Sequence, residues 1–186
     1  DEIHVHSRIF PVDLTYESSY DIIEKSLKSG SYQVLLLINS AGMGLSGTSE
    51  KIGNTVEQRM IKLNDSATVS MIQLCLPYMT AGSRIVNLAS IAGFQSMAGF
   101  NTYAASKAFI LNYSRALRQE LLPQKISVTA VCPYWVRDTG FIETASGHQS
   151  SPFLSAKTSS VVKRSLRTIP VTAKCSDCGT EYNPSK

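Results

Sequence analysis

Tyr103 and Lys107 stand four residues apart in the stretch Tyr103-Ala104-Ala105-Ser106-Lys107, and Ser90 lies thirteen residues before Tyr103. On a helix, four residues differ by about 40° of rotation and about 6 Å of rise, so a phenol and an ammonium share a face. A phenol is a general acid near neutral pH only if its pKa falls well below its usual ~10. A neighbouring ammonium works in that direction, because it favours the phenolate. A hydroxyl at Ser90 can hydrogen-bond a substrate carbonyl beside the phenol. The three groups together would polarise a C=O and deliver a proton, which suits hydride addition to a ketone. Taken alone, Tyr-x-x-x-Lys is a common chance spacing, and its ordinary meaning is an amphipathic ring beside a solvated lysine. Its surroundings give it weight: a serine at a strand end, an Asn-x-Ala-Gly after the preceding strand and a proline after the next.

The elements that must position these groups alternate between strand and helix. Residues 3–12 are rich in β-branched and apolar types and read as a strand ending at Asp13. Residues 18–29 have helical periodicity, with Tyr20, Ile23 and Leu27 on one face and Gly30 as the stop. Residues 33–38 form a continuous apolar run, as a buried parallel strand requires. The run breaks at the turn-prone Asn39-Ser40-Ala41-Gly42-Met43-Gly44. Residues 56–79 predict a long helix with Pro77 in its last turn, and residues 83–89 a second buried strand. Residues 103–122 predict another long helix closed by Pro123, and residues 125–132 a third buried strand ending at Pro133. Beyond Tyr134 the chain is polar and Ser/Thr-rich, with a helical patch at 159–167. This order predicts an α/β, doubly wound parallel sheet with right-handed crossovers. Ligands bind such sheets at the carboxyl ends of the strands, so the groups after Ile38, Ala89 and Cys132 matter most.

With these motifs in order, the chain resembles the short-chain dehydrogenase/reductase family over about residues 1–145. Asn39-Ser40-Ala41-Gly42 looks like that family's Asn-Asn-Ala-Gly turn. The stretch from Ile85 to Gly93 looks like its catalytic-serine strand, and Tyr103 to Lys107 matches its Tyr-x-x-x-Lys. Asn64, in Lys62-Leu63-Asn64, falls where the family places a helix asparagine that holds a proton-relay water. The resemblance implies a Rossmann-like fold and hydride transfer between NADP or NAD and a ketone or secondary alcohol, with NADP slightly favoured. It implies that Tyr103 is the general acid/base and that Lys107 lowers its pKa and holds the nicotinamide ribose. Ser90 would orient the substrate, and Asn64 would position a water on Lys107. Asp13 would stand beside the adenine, Asn39, Ala41 and Gly42 would line the adenosine side, and Pro133, Val136 and Thr139 would clasp the nicotinamide. The milder readings are that Asn64 is a helix polar residue and that Asp13 caps the next helix.

Departures from the family are informative. Pro133-Tyr134 replaces the usual Pro-Gly, and with Gly42-Met43-Gly44 it resembles the branch of 17-beta-hydroxysteroid dehydrogenases and very-long-chain 3-oxoacyl reductases. That implies a hydrophobic, steroid-like or 3-oxoacyl substrate. Thr139 lies one residue later than the common spacing. The family's Gly-rich turn, Thr-Gly-x-x-x-Gly-x-Gly, does not occur in these residues, so residue 1 aligns with about the third strand of the family. Such turns cradle a pyrophosphate at a helix N-terminus, so these residues by themselves are expected to bind NADP(H) weakly. The family's first βαβ part is thus expected to be missing. The alternative reading is a non-catalytic remnant acting as an interaction module.

Composition sets the outer limits. Hydrophobic residues are 43% and charged residues 17%, a globular balance. A net charge of +4, scattered along the chain, argues against a nucleic-acid-binding stripe. No apolar run approaches a membrane span, and the opening Asp-Glu does not read as a signal peptide. Four cysteines are too few for a disulfide scaffold, which points to a reducing, cytoplasmic compartment. Cys75 and Cys132 read as small buried hydrophobes. Cys175 and Cys178 form a single C-x-x-C that lacks two further zinc ligands, so no metal is expected. Residues 1–168 are read as the dehydrogenase domain and 169–186 as a polar tail, with 169–173 a possible edge strand. The apolar side chains Met71, Leu74, Phe109, Leu111 and Leu117 suggest helix faces that pair in a homo-oligomer.

Overall fold

The computed structural model describes residues 6–30, 32–146 and 155–167. Three parallel strands form its sheet, β1 (Leu36–Asn39), β2 (Arg84–Leu88) and β3 (Ser127–Val131), in the order β1-β2-β3. Leu36 pairs with Arg84 and Arg84 with Ser127, so the carboxyl ends of all three strands finish together. The helices are α1 (Ser18–Ser29), the single turn α2 (Ser49–Ile52), α3 (Asn54–Ile61), α4 (Ala67–Cys75), α5 (Asn101–Leu121), α6 (Phe141–Ser146) and α7 (Thr158–Arg167).

One face of the sheet is closed by α1, α4 and α5. Leu37, Ile72, Ile85, Leu117, Leu121 and Val128 form its core, with Leu27 of α1 packed against them. Ile72 and Ile85 are completely buried, and each such side chain contributes about 1.5–3 kcal/mol. Next to it, Leu111 and Ile110 of α5 pack on Ala130 and Cys132. The other face is lighter: Val86 and Val131 meet Val161 of α7.

The predicted α1 stands at its predicted bounds, and β2, β3, α5 and α7 agree within two residues. Four expectations are corrected. Residues 6–12 are not a strand, and Ile9 is exposed. No described strand lies beside them, and without a partner the backbone has no ladder to join. β1 is shorter than residues 33–38 and buried on one face only, with Leu37 inside and Leu36 and Ile38 exposed. The single long helix over 56–79 is four pieces: α3, a π-turn at Lys62–Ser66, α4 and a 3-10 turn at Leu76–Tyr78 that holds Pro77. Leu111 and Leu117 are core residues, not spare surface, because they face β3. The 169–173 edge strand, Cys175, Cys178, His4 and His148 lie outside the described residues.

Candidate active site

Ser90 follows β2 and starts a short 3-10 turn, Ile91–Phe94, where its Oγ accepts the Ala92 N–H at 3.2 Å. Gly93 in that turn presses on α5: a Cβ there would stand 2.7 Å from the Lys107 carbonyl oxygen. Only a residue without a side chain lets the serine turn lie this close to the helix carrying Tyr103 and Lys107. On the other side, a Cβ at Gly44 would stand 3.0 Å from the Tyr103 ring and 2.8 Å from Phe141. Two glycines thus frame the phenol, one behind the Ser90 turn and one in the loop after β1.

The loop after β1 is held by Asn64. Its Oδ1 accepts the Met43 N–H at 2.8 Å, and its Nδ2 donates to the Met43 carbonyl at 2.9 Å and to Ser106 Oγ at 3.0 Å. The π-turn makes this possible. Ala67 N–H bonds the Lys62 carbonyl, five residues back, and the extra residue swells the helix at Asn64. Asn64 is almost completely buried, and its side-chain amide is committed to this clamp. Asn64→Ala should therefore cost about 2–4 kcal/mol, since Met43 and Ser106 lose their partners. A denaturant titration checks this; a midpoint unchanged from wild type would show the clamp to be idle.

Lys107 is 6% exposed, and its Nζ donates to the Leu88 carbonyl at 2.8 Å. The same Nζ lies 5.7 Å from the centroid of the Tyr103 ring. A Cβ at Gly42 would stand 3.6 Å from that Nζ and 3.2 Å from Asn64 Oδ1, so the Asn-x-Ala-Gly turn approaches the lysine directly. Burial pushes the Lys107 ammonium down to about 8, against the pull of Asp65 and then Cys132. Burial pushes the Asp65 carboxyl up to about 7, with Lys107 opposing.

Tyr103 departs from expectation. Burial raises the phenol above its ordinary pKa, and the Ser90 hydroxyl beside it only partly offsets this. Lys107 does not lower it here, because its ammonium bonds the Leu88 carbonyl and faces Asp65 instead. The phenol is consequently protonated at neutral pH, the form that gives a proton to a carbonyl oxygen.

The cavity at these strand ends has a volume of about 650 Å³. Ser90, Tyr103, Lys107, Gly42, Pro133, Val136 and Thr139 all line it. Four predicted residues do not: Asn64, held in the clamp on Met43 and Ser106, and Asn39, Ala41 and Asp13. Asn39 donates from Nδ2 to Asn87 Oδ1 at 2.9 Å, within the sheet. Ala41 is exposed and outside the lining. Asp13 lies in a turn, where Oδ1 accepts from Thr15 N–H and Oγ1 and Oδ2 pairs with Arg59 at 3.2 Å. Thr139 Oγ1 donates to the Val136 carbonyl at 2.9 Å. Sequence reading missed the apolar wall of Phe100, Trp135 and Phe141, whose rings meet each other or Tyr103 edge-on or tilted at 5.4–6.1 Å. It also missed the latch on α7, where Asp138 Oδ1 accepts the Thr158 N–H at 2.7 Å and its hydroxyl at 2.6 Å. The signal for the latch was an Asp-x-Thr separation of twenty residues, which no local rule reads.

Comparison with known proteins decides what this arrangement is. Residues 1–149 match the family described as "short chain dehydrogenase". The chain belongs to the short-chain dehydrogenase family. It is 31% identical over 147 residues to ketoacyl reductase HetN of Nostoc, covering 78% of this chain and 50% of that protein. It is 28% identical over 177 residues to rat 17-beta-hydroxysteroid dehydrogenase type 3, covering 92% of this chain and 55% of that one. Among solved structures, a short-chain dehydrogenase from Sphingobium yanoikuyae in complex with NADPH superposes with a TM-score of 0.73 at 30% identity. That match covers 83% of this chain and 61% of the other. The chain thus spans about half the length of the curated relatives it matches. The short-chain dehydrogenase fold accounts for the parallel sheet and for a cavity at its carboxyl end, with Ser90, Tyr103 and Lys107 side by side.

Proposed function

We propose that this protein reduces an apolar ketone with a nicotinamide cofactor, and the observation carrying the reading is that Tyr103, Ser90 and Lys107 line one largely apolar cavity, with Lys107 Nζ 5.7 Å from the Tyr103 ring. The cofactor supplies a hydride when bound. Lys107 suits its ribose: its Nζ uses one of three N–H donors on Leu88 and stands 3.6 Å from where a Gly42 Cβ would be, a side the glycine leaves open. Pro133, Val136 and Thr139 would lie against the nicotinamide, and Asn64 holds the Gly42 loop in register with Lys107. Ser90 Oγ orients the carbonyl oxygen, and Tyr103 gives that oxygen its proton as the alkoxide develops. NADP is the favoured form, as in the Sphingobium complex.

Phe100, Trp135, Phe141 and, from α7, Val161, Val162 and Leu166 make the substrate side apolar. This supports a steroid-like or 3-oxoacyl substrate over a small charged one, in line with the two curated relatives. In NADPH-dependent reduction by the protein expressed from its complete coding sequence, kcat/KM should rise about tenfold or more from short ketones to bulky apolar ones. A preference for charged 2-oxo acids would overturn this reading.

Cys75 and Cys132 are buried cysteines, which supports a reducing, cytoplasmic compartment. Self-association is proposed through the outer face of α5, where Phe109 is 43% exposed and stacks on Tyr113. Light scattering at micromolar concentration should give a dimer or larger species that Phe109→Glu reduces to monomer; a monomeric wild type would contradict it.

A further inference from the structure

Asp65 is out of character with its surroundings. It follows Asn64 inside the π-turn, is 9% exposed, and its Oδ1 has no hydrogen-bond partner. A carboxylate this deep with an unfilled acceptor is costly unless an opposite charge stands by. Its place in mid-helix excludes a capping role, and its burial excludes a solvated one.

The π-turn packs on α5 beside Lys107: Asn64 Nδ2 bonds Ser106 Oγ, one residue earlier on that helix. Lys107 is as buried as Asp65, and its Nζ has the Leu88 carbonyl as acceptor for one of three N–H donors. A buried oxygen short of a donor and a buried ammonium short of acceptors therefore share one seam. We infer that Asp65 is a positioning residue for the active site, its carboxylate being the counter-charge that holds the Lys107 ammonium charged and in place.

The titratable groups that face Lys107 among the described residues are Asp65 from the π-turn, Cys132 after β3 and Tyr103 on its own helix. Asp65 acts on Lys107 more strongly than Cys132 does, and Lys107 is in turn the charge that Asp65 feels. Asp65 is the stronger of the two, so its carboxylate is the main balance to the lysine. In the reverse sense, protonating Asp65 leaves Lys107 as a lone buried cation, which then gives up its proton more easily.

The catalytic meaning of this pair rests on the function proposed above, but its test does not need turnover. Carbon-13 NMR of the side-chain carboxyl of Asp65 and the terminal methylene of Lys107, followed against pH, reads both groups directly. Asp65→Asn should raise the acid dissociation constant of Lys107 about tenfold or more, and Asp65→Glu should restore most of it. Reciprocally, Lys107→Met should lower the acid dissociation constant of Asp65 by a similar factor, since coupling is mutual. That second arm keeps the test sound if Asp65→Asn does not fold. A Lys107 titration that Asp65→Asn leaves unmoved, or an Asp65 titration that Lys107→Met leaves unmoved, overturns the inference. Coupled titrations in a protein without ketone reductase activity would overturn the proposed function and leave the pair standing.

Discussion

Tyr103→Phe should lower kcat for ketone reduction by about 10²- to 10⁴-fold, the usual cost of losing a general acid. The substitution removes one oxygen and keeps the ring. Phe100 still meets it edge-on at 5.8 Å, and Phe141 still packs at 5.4 Å. The wall of the cavity is therefore intact, and KM for the ketone should change little. The raised pKa of the phenol bears on the proton it carries. Burial holds the proton on Tyr103, with Ser90 opposing more weakly. The phenol thus holds the proton that reduction of a ketone requires. Steady-state kinetics on the protein from its complete coding sequence check this, and a variant with wild-type kcat would mean that another group gives the proton.

Lys107→Met should cost both kcat and cofactor affinity, with kcat/KM for NADPH falling about a hundredfold or more. One charge-assisted hydrogen bond is worth about 1.5–3 kcal/mol, and the lysine keeps N–H donors beyond the one on Leu88. Methionine fills the same buried slot, so the fold should survive. The Asp65 left behind then takes up a proton instead of staying charged, because an unpaired buried carboxylate is the dearer alternative. Wild-type activity should also depend on this lysine through pH. Its acid form is lost above about 8. The ammonium deprotonates as pH rises through that value, so cofactor affinity falls on the alkaline side and is retained on the neutral side. The Lys107→Met variant should lack that alkaline limb. A variant that binds NADPH as wild type does would remove Lys107 from the cofactor site.

The parts of this molecule legible in the sequence are those that local chemistry dictates. The α1 helix repeats Tyr20, Ile23 and Leu27 at helical spacing and stops at Gly30, and it stands where that pattern puts it. The strands β2 and β3 are apolar because both of their faces are covered. Ser90, Tyr103 and Lys107 were legible because their spacing matches strand end and helix turn. What failed depended on contacts distant in sequence. Residues 6–12 have strand-like composition but no described strand beside them. The π-turn has no compositional mark, since it arises where Asn64 reaches Met43 and Ser106. The sign of the Tyr103 shift is not legible in the spacing, which brings an ammonium near without saying which oxygen it bonds. The family resemblance puts Asn39 on the adenosine side, while its amide bonds Asn87 across the sheet.

The central claim is that this site moves a hydride onto a carbonyl carbon while Tyr103 protonates the oxygen. Its most direct test supplies the protein, expressed from its complete coding sequence, with a bulky apolar ketone and NADPH deuterated at the transferring position of the nicotinamide. Mass spectrometry of the alcohol should find deuterium on the carbinol carbon, formed about a hundredfold or more slowly by Tyr103→Phe. An alcohol without the label, no alcohol above the protein-free control, or label transferred equally fast by Tyr103→Phe would contradict the account.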